Sequence, residues 1–494
     1  METAKLIEWN PWWETKVMPE ELKAKHRPRY EQLVESIEIR EITIITGVRR
    51  SGKSTLMYQM IDWLLKKGID PKQILFANLE DKKLVKDSLQ DIYSSYRQNI
   101  NLDKKAYVFL DEIHKKEGWE AWIRKKYDLK TNDKFVISGS CSYLLKREYS
   151  TLLTGRNLTF EVMPLSFEEF LLFNDITIDK NYLKKSIMLE KTKMQIIKSL
   201  DEYLELGGFP EVVLKPKSFK IKLLEQYFDD MLYKDIIDRY NLNSQKTKDL
   251  ALYLITNFTS LISLRNLRNS LKISYDTIKD YLSYYTEAFM FFTLDHFSYS
   301  FKEQKTLASK IYCIDNGLRN AVSFKFSKDE GKLAENCVFI QLKRQEKQPY
   351  YWKNKNEVDF VIKNANNSLE AINVSYADEI PERETLGLLE FKKSNKKVNK
   401  LLIITKNLEK TEGSIQYLPL WKWLLQDKIL KKQIGAFKSN KSTKQLIKES
   451  KEGWKKDIAR LNNRTLKDIK KSRKEIRQGK VHSLEKIKKE LKLS

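Results

Sequence analysis

One eight-residue motif, set directly behind an apolar run, constrains this chain more than any other feature. Residues 47–54 read Gly-Val-Arg-Arg-Ser-Gly-Lys-Ser, a complete G-x-x-x-x-G-K-[ST] phosphate loop. Residues 42–45 predict the strand that leads into the loop, and the amphipathic residues 56–65 predict the helix that leaves it. A glycine turn that caps a helix by chance would lack both neighbours. The motif therefore predicts a nucleotide-binding chain.

The positions of the loop have distinct expected roles. Gly47 and Gly52 allow the backbone to turn so that its N–H groups face the phosphates, while Lys53 brings a positive charge to the β and γ phosphates. Ser54 is expected to present its hydroxyl to Mg²⁺. The two arginines of the loop could face either the phosphates or solvent. The predicted site for ATP and Mg²⁺ comprises Gly47, Val48, Arg49, Arg50, Ser51, Gly52, Lys53, Ser54 and Thr55.

Two carboxylates end a second apolar run. Asp111 and Glu112 follow residues 107–110, and Asp111 stands 58 positions after Lys53. Asp111 is expected to hold Mg²⁺ through its coordinated waters, and Glu112 to polarise the attacking water. An apolar run that ends in Asp-Glu is common and by itself indicates only a strand that meets solvent. Together with the phosphate loop, it predicts ATP hydrolysis.

Further polar positions are candidates for the same site. Ser140 or Ser138, at the end of a predicted strand, could sense the γ-phosphate. Asn78 could hydrogen-bond Glu112 and restrain it, or simply end a strand in a turn. Arg156 could be an arginine finger that offsets charge on the transferred phosphoryl group, or a surface arginine. The predicted catalytic residues are Glu112, Lys53, Arg156 and Ser140.

Strands and helices alternate across residues 41–140 in the order of a parallel sheet covered on both faces, so the predicted class is α/β. Short apolar runs predict strands at 42–46, 74–79, 106–110 and 135–138. Helical spacing predicts helices at 56–66, 83–99 and 119–130. Trp12 and Trp13 are expected to pack on this core, although adenine stacking is the other interpretation.

Three later blocks have different patterns. A Lys-rich helical region ends at Gly207-Gly208-Phe209-Pro210. Residues 261–297 predict helix, turn, helix and hairpin, which is the order of a winged helix. Residues 332–425 predict a helix followed by strands at 350–353, 358–362, 371–374 and 401–405, and beyond residue 431 the chain is a Lys-rich amphipathic tail.

The predicted winged helix carries both signs of charge. Its basic residues are Arg265, Arg268, Lys272 and Lys279, and its acidic residues are Asp276, Asp280 and Glu287. Contact with DNA and contact with a protein are therefore both open for this module.

The chain as a whole is strongly basic. Its formal net charge of +25 favours a polyanionic partner or an anionic membrane surface over an acidic protein substrate. Residues 441–494 hold nineteen Lys and Arg against seven Asp and Glu, so these last 54 residues alone contribute +12. A length of 494 residues predicts about three or four domains.

The cysteines and the N-terminus bear on the compartment. Cys141, Cys313 and Cys337 lie far apart without a C-x-x-C pair, which argues against a disulfide framework and a zinc knuckle. The N-terminus lacks a basic region followed by an apolar stretch, and no run approaches the roughly 18 apolar residues of a spanning helix. We therefore expect a cytoplasmic protein without a membrane partner.

Several motifs, taken in chain order, resemble those of one protein family. They are Asn10-Pro11-Trp12-Trp13, the loop at 47–54, Leu110-Asp111-Glu112-Ile113, Ser138-Gly139-Ser140, Thr154-Gly155-Arg156 with Pro164-Leu165-Ser166-Phe167, Gly207-Gly208-Phe209-Pro210 and Glu357-Val358-Asp359-Phe360. The chain looks like a prokaryotic, especially archaeal, AAA-type ATPase with a winged-helix middle and a C-terminal restriction-endonuclease-like domain of unknown function. The resemblance spans about residues 10–425 and is most specific in the ATPase part.

The resemblance implies a P-loop NTPase sheet of the AAA type, a helical lid, a winged helix and a restriction-endonuclease-like α/β domain. The expected domains are an N-terminal extension packed on the core (1–37), the P-loop ATPase domain (38–170), the helical lid (171–245), the winged helix (246–330), an inactive restriction-endonuclease-like domain (331–430) and a basic helical tail (431–494).

The last of these motifs tests for nuclease chemistry. A metal-dependent site of the restriction-endonuclease type needs an acidic residue from a helix, an Asp, and a Glu-x-Lys on the next strand. Glu335 and Asp359 could fill the first two positions, but Asn373 and Ser375 stand where Glu and Lys would be needed. Glu370 lies close enough to be a migrated ligand. The departure predicts a domain that binds DNA or protein without cutting.

The tail has a weaker likeness of its own. Residues 468–488 look similar to the C-terminal helices of small prokaryotic antitoxins, with Ser483 as the N-cap of the last helix and Glu485 in its first turn. A solvated tail that binds nucleic acid is the other interpretation.

Two main hypotheses for function follow. The first is a cytoplasmic, Mg²⁺-dependent ATPase whose nucleotide state moves the lid and winged helix, and which acts on DNA or on a DNA-bound partner. The second is a signalling switch that hydrolyses ATP slowly and holds a protein partner, such as a toxin. An ATP-dependent nuclease is a third, less favoured class. A homo-oligomer is compatible with each, and Arg156 is expected to matter only where subunits share sites.

Overall fold

A computed structural model of the protein describes residues 3–28, 30–140, 153–178, 190–323 and 329–426. The basic tail with Ser483 and Glu485 lies outside these residues, as does Cys141, so what is expected of them stays a prediction. Among the helices of the described ranges, none is long and apolar enough to cross a membrane.

The phosphate loop belongs to a five-stranded parallel sheet. Its strands are β1 (Ile42–Thr46), β2 (Ile74–Asn78), β3 (Tyr107–Asp111), β4 (Lys134–Gly139) and β5 (Asn157–Glu161), in the spatial order β2-β3-β4-β1-β5. The helices of this region are α1 (Ala4–Ile7), α2 (Trp12–Thr15), α3 (Glu20–Lys23), α4 (Tyr30–Glu35), α5 (Lys53–Lys66), α6 (Leu89–Asn99) and α7 (Trp119–Asp128), with 3₁₀ turns at Ser36–Glu38, Pro71–Gln73 and Ile113–Lys115. The predicted α/β class is confirmed.

The sheet differs from the prediction in two details. Strand β5 was not predicted, because its residues are half-buried or exposed and form no continuous apolar run. Helix α6 begins at Leu89 rather than at residue 83, because Ser88 and Asp91 form a reciprocal capping box that fixes the helix start. The buried strands β1 to β4 lie where the apolar runs predicted them, since strands covered on both faces need apolar side chains throughout.

The N-terminal residues cover the exposed edge of this sheet. The side-chain amide of Asn10 donates to the Phe76 carbonyl at 2.8 Å and accepts from the Phe76 N–H at 2.7 Å, as a neighbouring strand would. Trp13 donates its indole N–H to the Ile74 carbonyl at 2.8 Å, and the Trp12 ring is fully buried. Trp12 and Trp13 therefore pack on β2 and its neighbours, and the interpretation that they stack on adenine is wrong.

A helical layer follows the sheet. It consists of α8 (Phe167–Phe173), α9 (Glu190–Leu206), α10 (Pro210–Leu214), α11 (Lys217–Leu232), a π-helical turn (Tyr233–Ile237) and α12 (Asp238–Tyr240). The glycine pair between α9 and α10 is required by a close approach. Gly207 has φ +73°, and a Cβ there would lie 1.8 Å from an Asp315 carboxylate oxygen. The Gly208 N–H donates to the same carboxylate at 2.7 Å.

The middle of the chain has the two helices and the first strand that were predicted within residues 261–297, but the strand that pairs with it lies beyond residue 297, after a further helix. It contains α13 (Ser244–Thr256), α14 (Leu264–Leu271), α15 (Tyr275–Glu287), β6 (Phe291–Leu294), α16 (Phe301–Thr306), β7 (Lys310–Cys313) and α17 (Asn316–Val322). Strands β6 and β7 pair antiparallel. The assignment of these elements to a winged helix stays a prediction.

The C-terminal part contains a mixed six-stranded sheet. Its elements are α18 (Glu330–Arg344), β8 (Pro349–Lys353), β9 (Glu357–Lys363), β10 (Leu369–Ser375), α19 (Glu382–Ser394), β11 (Val398–Thr405), β12 (Lys410–Glu412), β13 (Ile415–Pro419) and α20 (Leu420–Leu425), with the strand order β12-β13-β11-β10-β9-β8. One hydrophobic core joins the helical layer, the middle elements and one face of this sheet, whereas the first sheet has a core of its own. The helical layer, the middle elements and the C-terminal sheet are therefore packed together through apolar side chains.

Candidate nucleotide site

The loop between β1 and α5 is shaped by its first glycine. Gly47 has φ +144°, and a Cβ at this position would lie 2.0 Å from the Val162 carbonyl oxygen. The second glycine of the motif, Gly52, has φ +95° and precedes the first residue of α5. No side chain could replace Gly47 without moving the backbone that follows β5. The loop is thereby held at the carboxyl edge of the sheet, where ligands of open α/β sheets bind.

Lys53 lies folded over the loop. Its side chain is buried, and its ammonium group donates to the carbonyls of Gly47 at 3.1 Å and Val48 at 3.2 Å. The same ammonium lies 3.9 Å from a carboxylate oxygen of Glu112. Lys53 therefore places a positive charge between the loop and the end of β3, which is where the phosphates of a bound nucleotide would need it.

Ser54 and Asp111 lie side by side next to the loop. The Ser54 hydroxyl donates to Asp111 Oδ2 at 2.6 Å, and the Ser138 hydroxyl donates to Asp111 Oδ1. Burial and the nearby charge of Glu112 raise the pKa of Asp111, although these hydroxyls and Lys53 act in the opposite direction. A hydroxyl beside a carboxylate is the ligand set by which P-loop proteins hold Mg²⁺, so the two residues fit that ion.

No larger metal centre accompanies this pair. Among the residues that the structure describes, no group of three or more His, Cys, Asp and Glu side chains is placed to hold a metal ion. A magnesium ion at Ser54 and Asp111 would complete its coordination with water and nucleotide phosphates, as is usual for this ion.

Glu112 stands next to Asp111 in a strained conformation. Its φ is +55°, which is uncommon for a residue with a side chain and is typical of functional positions. The Ser140 N–H donates to Glu112 Oε2 at 3.1 Å, and the ring of His114 lies 3.4 Å from that oxygen. Burial raises the pKa of Glu112, but the positive charges of Lys53 and Arg49 outweigh burial and lower it. Glu112 is therefore an ionised carboxylate at neutral pH.

His114 lies beside this carboxylate as a neutral ring. Burial is the main cause that lowers the pKa of His114, to about 4, although the Glu112 charge acts to raise it. The contact with Glu112 is thus one of proximity, not an ion pair. This histidine lies just beyond the Leu110-Asp111-Glu112-Ile113 motif and was not among the predicted site residues.

Two other predicted positions have different surroundings. The Asn78 side chain accepts from the Glu80 N–H at 3.0 Å, which is the turn interpretation of this residue, not a bond to Glu112. Arg156 binds Asp128 at 2.9 Å, and its carbonyl accepts from the Ile42 N–H at 2.8 Å. Ile42 begins β1 whereas the loop follows the end of β1, so Arg156 lies at the wrong edge of the sheet to serve its own chain's site. A role in a neighbouring subunit stays a prediction.

The largest addition to the predicted site is Asp235, which comes from the helical layer. Arg49 binds both oxygens of Asp235, with Nη2 at 2.9 Å from Oδ1 and Nε at 3.1 Å from Oδ2. Glu80 contacts the same guanidinium at 3.3 Å. Burial would lower the pKa of Arg49, but Asp235 and Glu80 together raise it. The arginine therefore faces carboxylates, which is neither of the two expected environments.

One open cleft of about 620 Å³ is lined by Arg49, Lys53, Ser54, Glu80, Asp111 and Glu112. The loop, Asp111 and Glu112 form its phosphate end. The rest of the lining comes from the N-terminal segment, from α5 and from the helical layer, and it includes Ala24, Lys25, Gln59, Phe173, Leu214 and Lys215. The volume lies within the range of small-molecule sites and suits a nucleotide.

A second cluster lies in the C-terminal part, at the positions considered for nuclease chemistry. Glu335 and Asp359 come together there, but the Lys310 ammonium lies between them, 3.1 Å from Glu335 Oε1 and 3.3 Å from Asp359 Oδ1. It also lies 2.7 Å from Glu357 Oε1. The surrounding charges raise the pKa of Lys310 despite its burial, and burial raises the pKa of Glu335 to about 7. An ammonium group thus occupies the space between the carboxylates.

The remaining residues considered for that chemistry take no part in the cluster as acids or bases. Asn373 accepts from the Asp359 N–H at 3.0 Å. Glu370 binds Asn364 at 3.1 Å and lies 3.7 Å from Lys347. The Glu370 carboxylate therefore makes its polar contacts outside this cluster.

Comparison with known proteins places this geometry in a family. An AAA domain family model matches residues 39–171, and two models described as domains of unknown function, DUF8612 and DUF4143, match residues 197–329 and 330–423. Uncharacterized protein MJ1544 of Methanocaldococcus jannaschii is 34% identical over 407 residues, which cover 78% of this chain and 88% of the relative. The chain belongs to this family of AAA-domain proteins. An uncharacterized protein of Haemophilus influenzae is 33% identical over 409 residues, or 80% of this chain and 97% of the relative.

The family therefore has archaeal and bacterial members, and the three matched regions together cover the body of the chain. Its first region is a P-loop domain of the AAA ATPase type, to which nucleotide binding belongs. Among solved structures, the Walker-type ATPase PABY2304 of Pyrococcus abyssi is similar at a TM-score of 0.41 and 12% identity, over 62% of this chain and 97% of that chain.

Proposed function

We propose that the protein is a Mg²⁺-dependent ATPase. The observation that carries the proposal is the meeting of four side chains at one edge of the first sheet. Lys53 lies 3.9 Å from Glu112, and Ser54 binds Asp111 at 2.6 Å, beside a cleft of nucleotide size. P-loop enzymes that hydrolyse ATP need this combination of a phosphate-binding cation, a metal-holding pair and a carboxylate that orients water.

Each residue has a definite task in this proposal. The loop N–H groups and Lys53 bind the β and γ phosphates, and Ser54 and Asp111 hold the ion. Magnesium, when bound, neutralises charge on the phosphates. Glu112 is ionised and so can accept the proton of the attacking water. Ser140 keeps the Glu112 carboxylate in place through its N–H.

Paired variants test these tasks. We expect Glu112→Gln to bind nucleotide normally and to lose about a hundredfold or more in turnover, because the amide cannot accept the proton. Lys53→Ala should instead weaken binding itself. Glu117→Gln is the matched control, since it makes the same change at an exposed position five residues along. Steady-state phosphate release and titration with a fluorescent ATP analogue separate the two effects. Equal turnover in Glu112→Gln and the native chain would refute the assignment of the base.

We further propose that hydrolysis is coupled to DNA. The basic side chains Arg265, Arg268, Lys272 and Lys279 are all exposed. Glu287, one of the acidic residues expected to dilute them, is instead buried and accepts from the Tyr240 hydroxyl at 2.5 Å. The exposed surface of the helical pair α14 and α15 is therefore more basic than the residue composition of the pair indicates. A basic surface favours the phosphate backbone of DNA as the partner. Stimulation of hydrolysis by duplex DNA, fading as salt rises, is the expected result.

One observation favours a protein partner as the second candidate. Tyr299 and Phe301, between β6 and β7, are 76% and 73% exposed, and exposed aromatic side chains are typical of protein contacts. In that case hydrolysis would be slow and indifferent to DNA, as expected of a signalling switch.

For the C-terminal part we propose that it binds DNA or a protein and does not cleave DNA. The Lys310 ammonium fills the space between Glu335 and Asp359 in which a nuclease would hold its cation. The expected result is no nicking of plasmid DNA at millimolar Mg²⁺ or Mn²⁺. Nicking that Asp359→Ala abolishes would reverse this conclusion.

A further inference from the structure

A buried carboxylate of the lid faces the proposed reaction centre without a task in it. Asp235 lies in the π-helical turn at Tyr233–Ile237, and its side chain is 3% exposed. It binds the Arg49 guanidinium through both oxygens, at 2.9 and 3.1 Å, and accepts from the Ser140 hydroxyl at 3.5 Å. Asp235 and Arg49 are 186 positions apart in the sequence. The contact therefore joins the phosphate loop to a different layer of the fold.

The stability of the contact between Asp235 and Arg49 depends on the charges around Asp235. Burial and the Glu112 charge both raise the pKa of Asp235, whereas Arg49 and Lys53 lower it. The buried carboxylate is stabilised as an anion mainly by the arginine. If the guanidinium turned to another anion, Asp235 would be left buried beside Glu112 without its partner, which is costly in a protein interior.

The place of Arg49 in the loop indicates which anion could compete. It is the third residue of the motif, and its charge lowers the pKa of Glu112, whose carboxylate lies 3.9 Å from the Lys53 ammonium. Lys53 marks the β and γ phosphates and Ser140 lies at the end of a neighbouring strand, so the terminal phosphate of ATP would lie among these residues. ADP ends one phosphate earlier and does not extend into that space.

We propose that Asp235 and the terminal phosphate of ATP compete for the Arg49 guanidinium, so that ATP, but not ADP, releases the π-helical turn of the lid. This inference rests on the proposed nucleotide site. A phosphate next to Asp235 repels its carboxylate and attracts the arginine, and both effects favour release. π-helical turns are rare and occur frequently at functional sites, which suits a segment with two arrangements.

Arg50, the second arginine of the phosphate loop, also contacts the lid, at residues that precede the π-helical turn. Arg50 lies 3.8 Å from Asp230 and 3.9 Å from Glu211, and its guanidinium is 5.4 Å from the centre of the Tyr227 ring. Asp230 and Tyr227 belong to α11, which runs directly into the π-helical turn. Release of the turn at Asp235 would therefore also displace α11. Because α11 belongs to the hydrophobic core shared by the lid and the later modules, the position of those modules would change as well.

Nucleotide affinities test the competition. We expect Asp235→Asn to bind a fluorescent, non-hydrolysable ATP analogue about fivefold or more tightly than the native chain, with less than about a twofold change for the ADP analogue. The matched control is Glu202→Gln, which changes an acid that binds Lys220 at 2.8 Å between α9 and α11, away from the cleft. Equal tightening for both nucleotides, or tightening for neither, would overturn the proposal.

Hydrogen exchange provides the second readout. In the native chain, the ATP analogue should raise exchange in residues 233–240, whereas ADP should leave it low; in Asp235→Asn, exchange should already be high without nucleotide. If Asp235→Asn fails to fold, the double variant Arg49→Gln with Asp235→Asn removes both buried charges, and ATP and ADP should then act alike on this segment. Protection that increases with ATP in the native chain would contradict the release.

Failure of this inference can be told from failure of the proposed function. A chain that binds neither nucleotide refutes the ATP site itself. A chain that binds and hydrolyses ATP, but shows the same exchange in residues 233–240 with ATP and ADP, refutes only the competition for Arg49.

Discussion

At the scale of single residues, the buried Asp315 has the clearest measurable consequence. Its carboxylate accepts from the N–H groups of Gly208 and Gly317, at 2.7 and 2.8 Å, and burial raises its pKa to about 6. Because the folded-state pKa lies above the unfolded value of about 3.8, the folded chain binds this proton more tightly, and stability from this group is gained as the pH falls through 6.

The prediction is a difference between two chains. Relative to Asp315→Asn, the native chain should gain roughly 1.4 kcal/mol in free energy of unfolding between pH 7 and pH 5. Chemical denaturation of both chains at the two pH values measures the gain, and the subtraction removes the titration of all other groups. At both pH values the variant should be the less stable, because its NH₂ group faces one of the two N–H donors. A difference that stays constant with pH would show that Asp315 is ionised throughout this range.

At the scale of elements, the edge of the first sheet depends on one side chain. Asn10 takes the place of a sixth strand by bonding both polar groups of Phe76. Asn10→Ala would leave this buried N–H and carbonyl without partners, at a cost of roughly 2–4 kcal/mol in free energy of unfolding. Asn99→Ala, on the exposed end of α6, is the matched control and should cost far less. Urea denaturation followed by tryptophan fluorescence compares them; equal losses would mean that Asn10 does not hold the edge.

The same elements show what could be predicted from sequence. Strands β1 to β4 are contiguous apolar runs, so their positions were predicted within one or two residues, whereas β5 is half-exposed and carries no such signal. The loop and the Asp111-Glu112 pair were found because each is a short local motif. Asp235 was not, because its meeting with Arg49 depends on how the lid packs on the sheet. Likewise, only the strand register shows that Arg156 lies at the far edge.

At the scale of the whole molecule, the division of charge separates two hypotheses for the partner. Residues 441–494 of the tail carry +12 of the net +25, whereas the exposed cations of α14 lie in the middle of the chain. If the tail alone attracts DNA, the helix is dispensable. If the helical pair docks on the backbone, both parts contribute to affinity, and each phosphate contact adds about 0.9 to the slope of log affinity against log salt.

We expect the double variant Arg265→Ala with Arg268→Ala to lower that slope by about 2 and to reduce the stimulation of ATP hydrolysis by duplex DNA. The double variant Lys392→Ala with Lys393→Ala removes the same charge from exposed positions on α19 and should leave stimulation unchanged. Fluorescence anisotropy with a labelled duplex at several salt concentrations gives the slope, and phosphate release gives the coupling. Equal slopes in the two double variants would assign DNA binding to the tail. If DNA changes hydrolysis in none of the chains, the signalling switch is favoured, because a nucleotide-driven lid would then serve a protein partner.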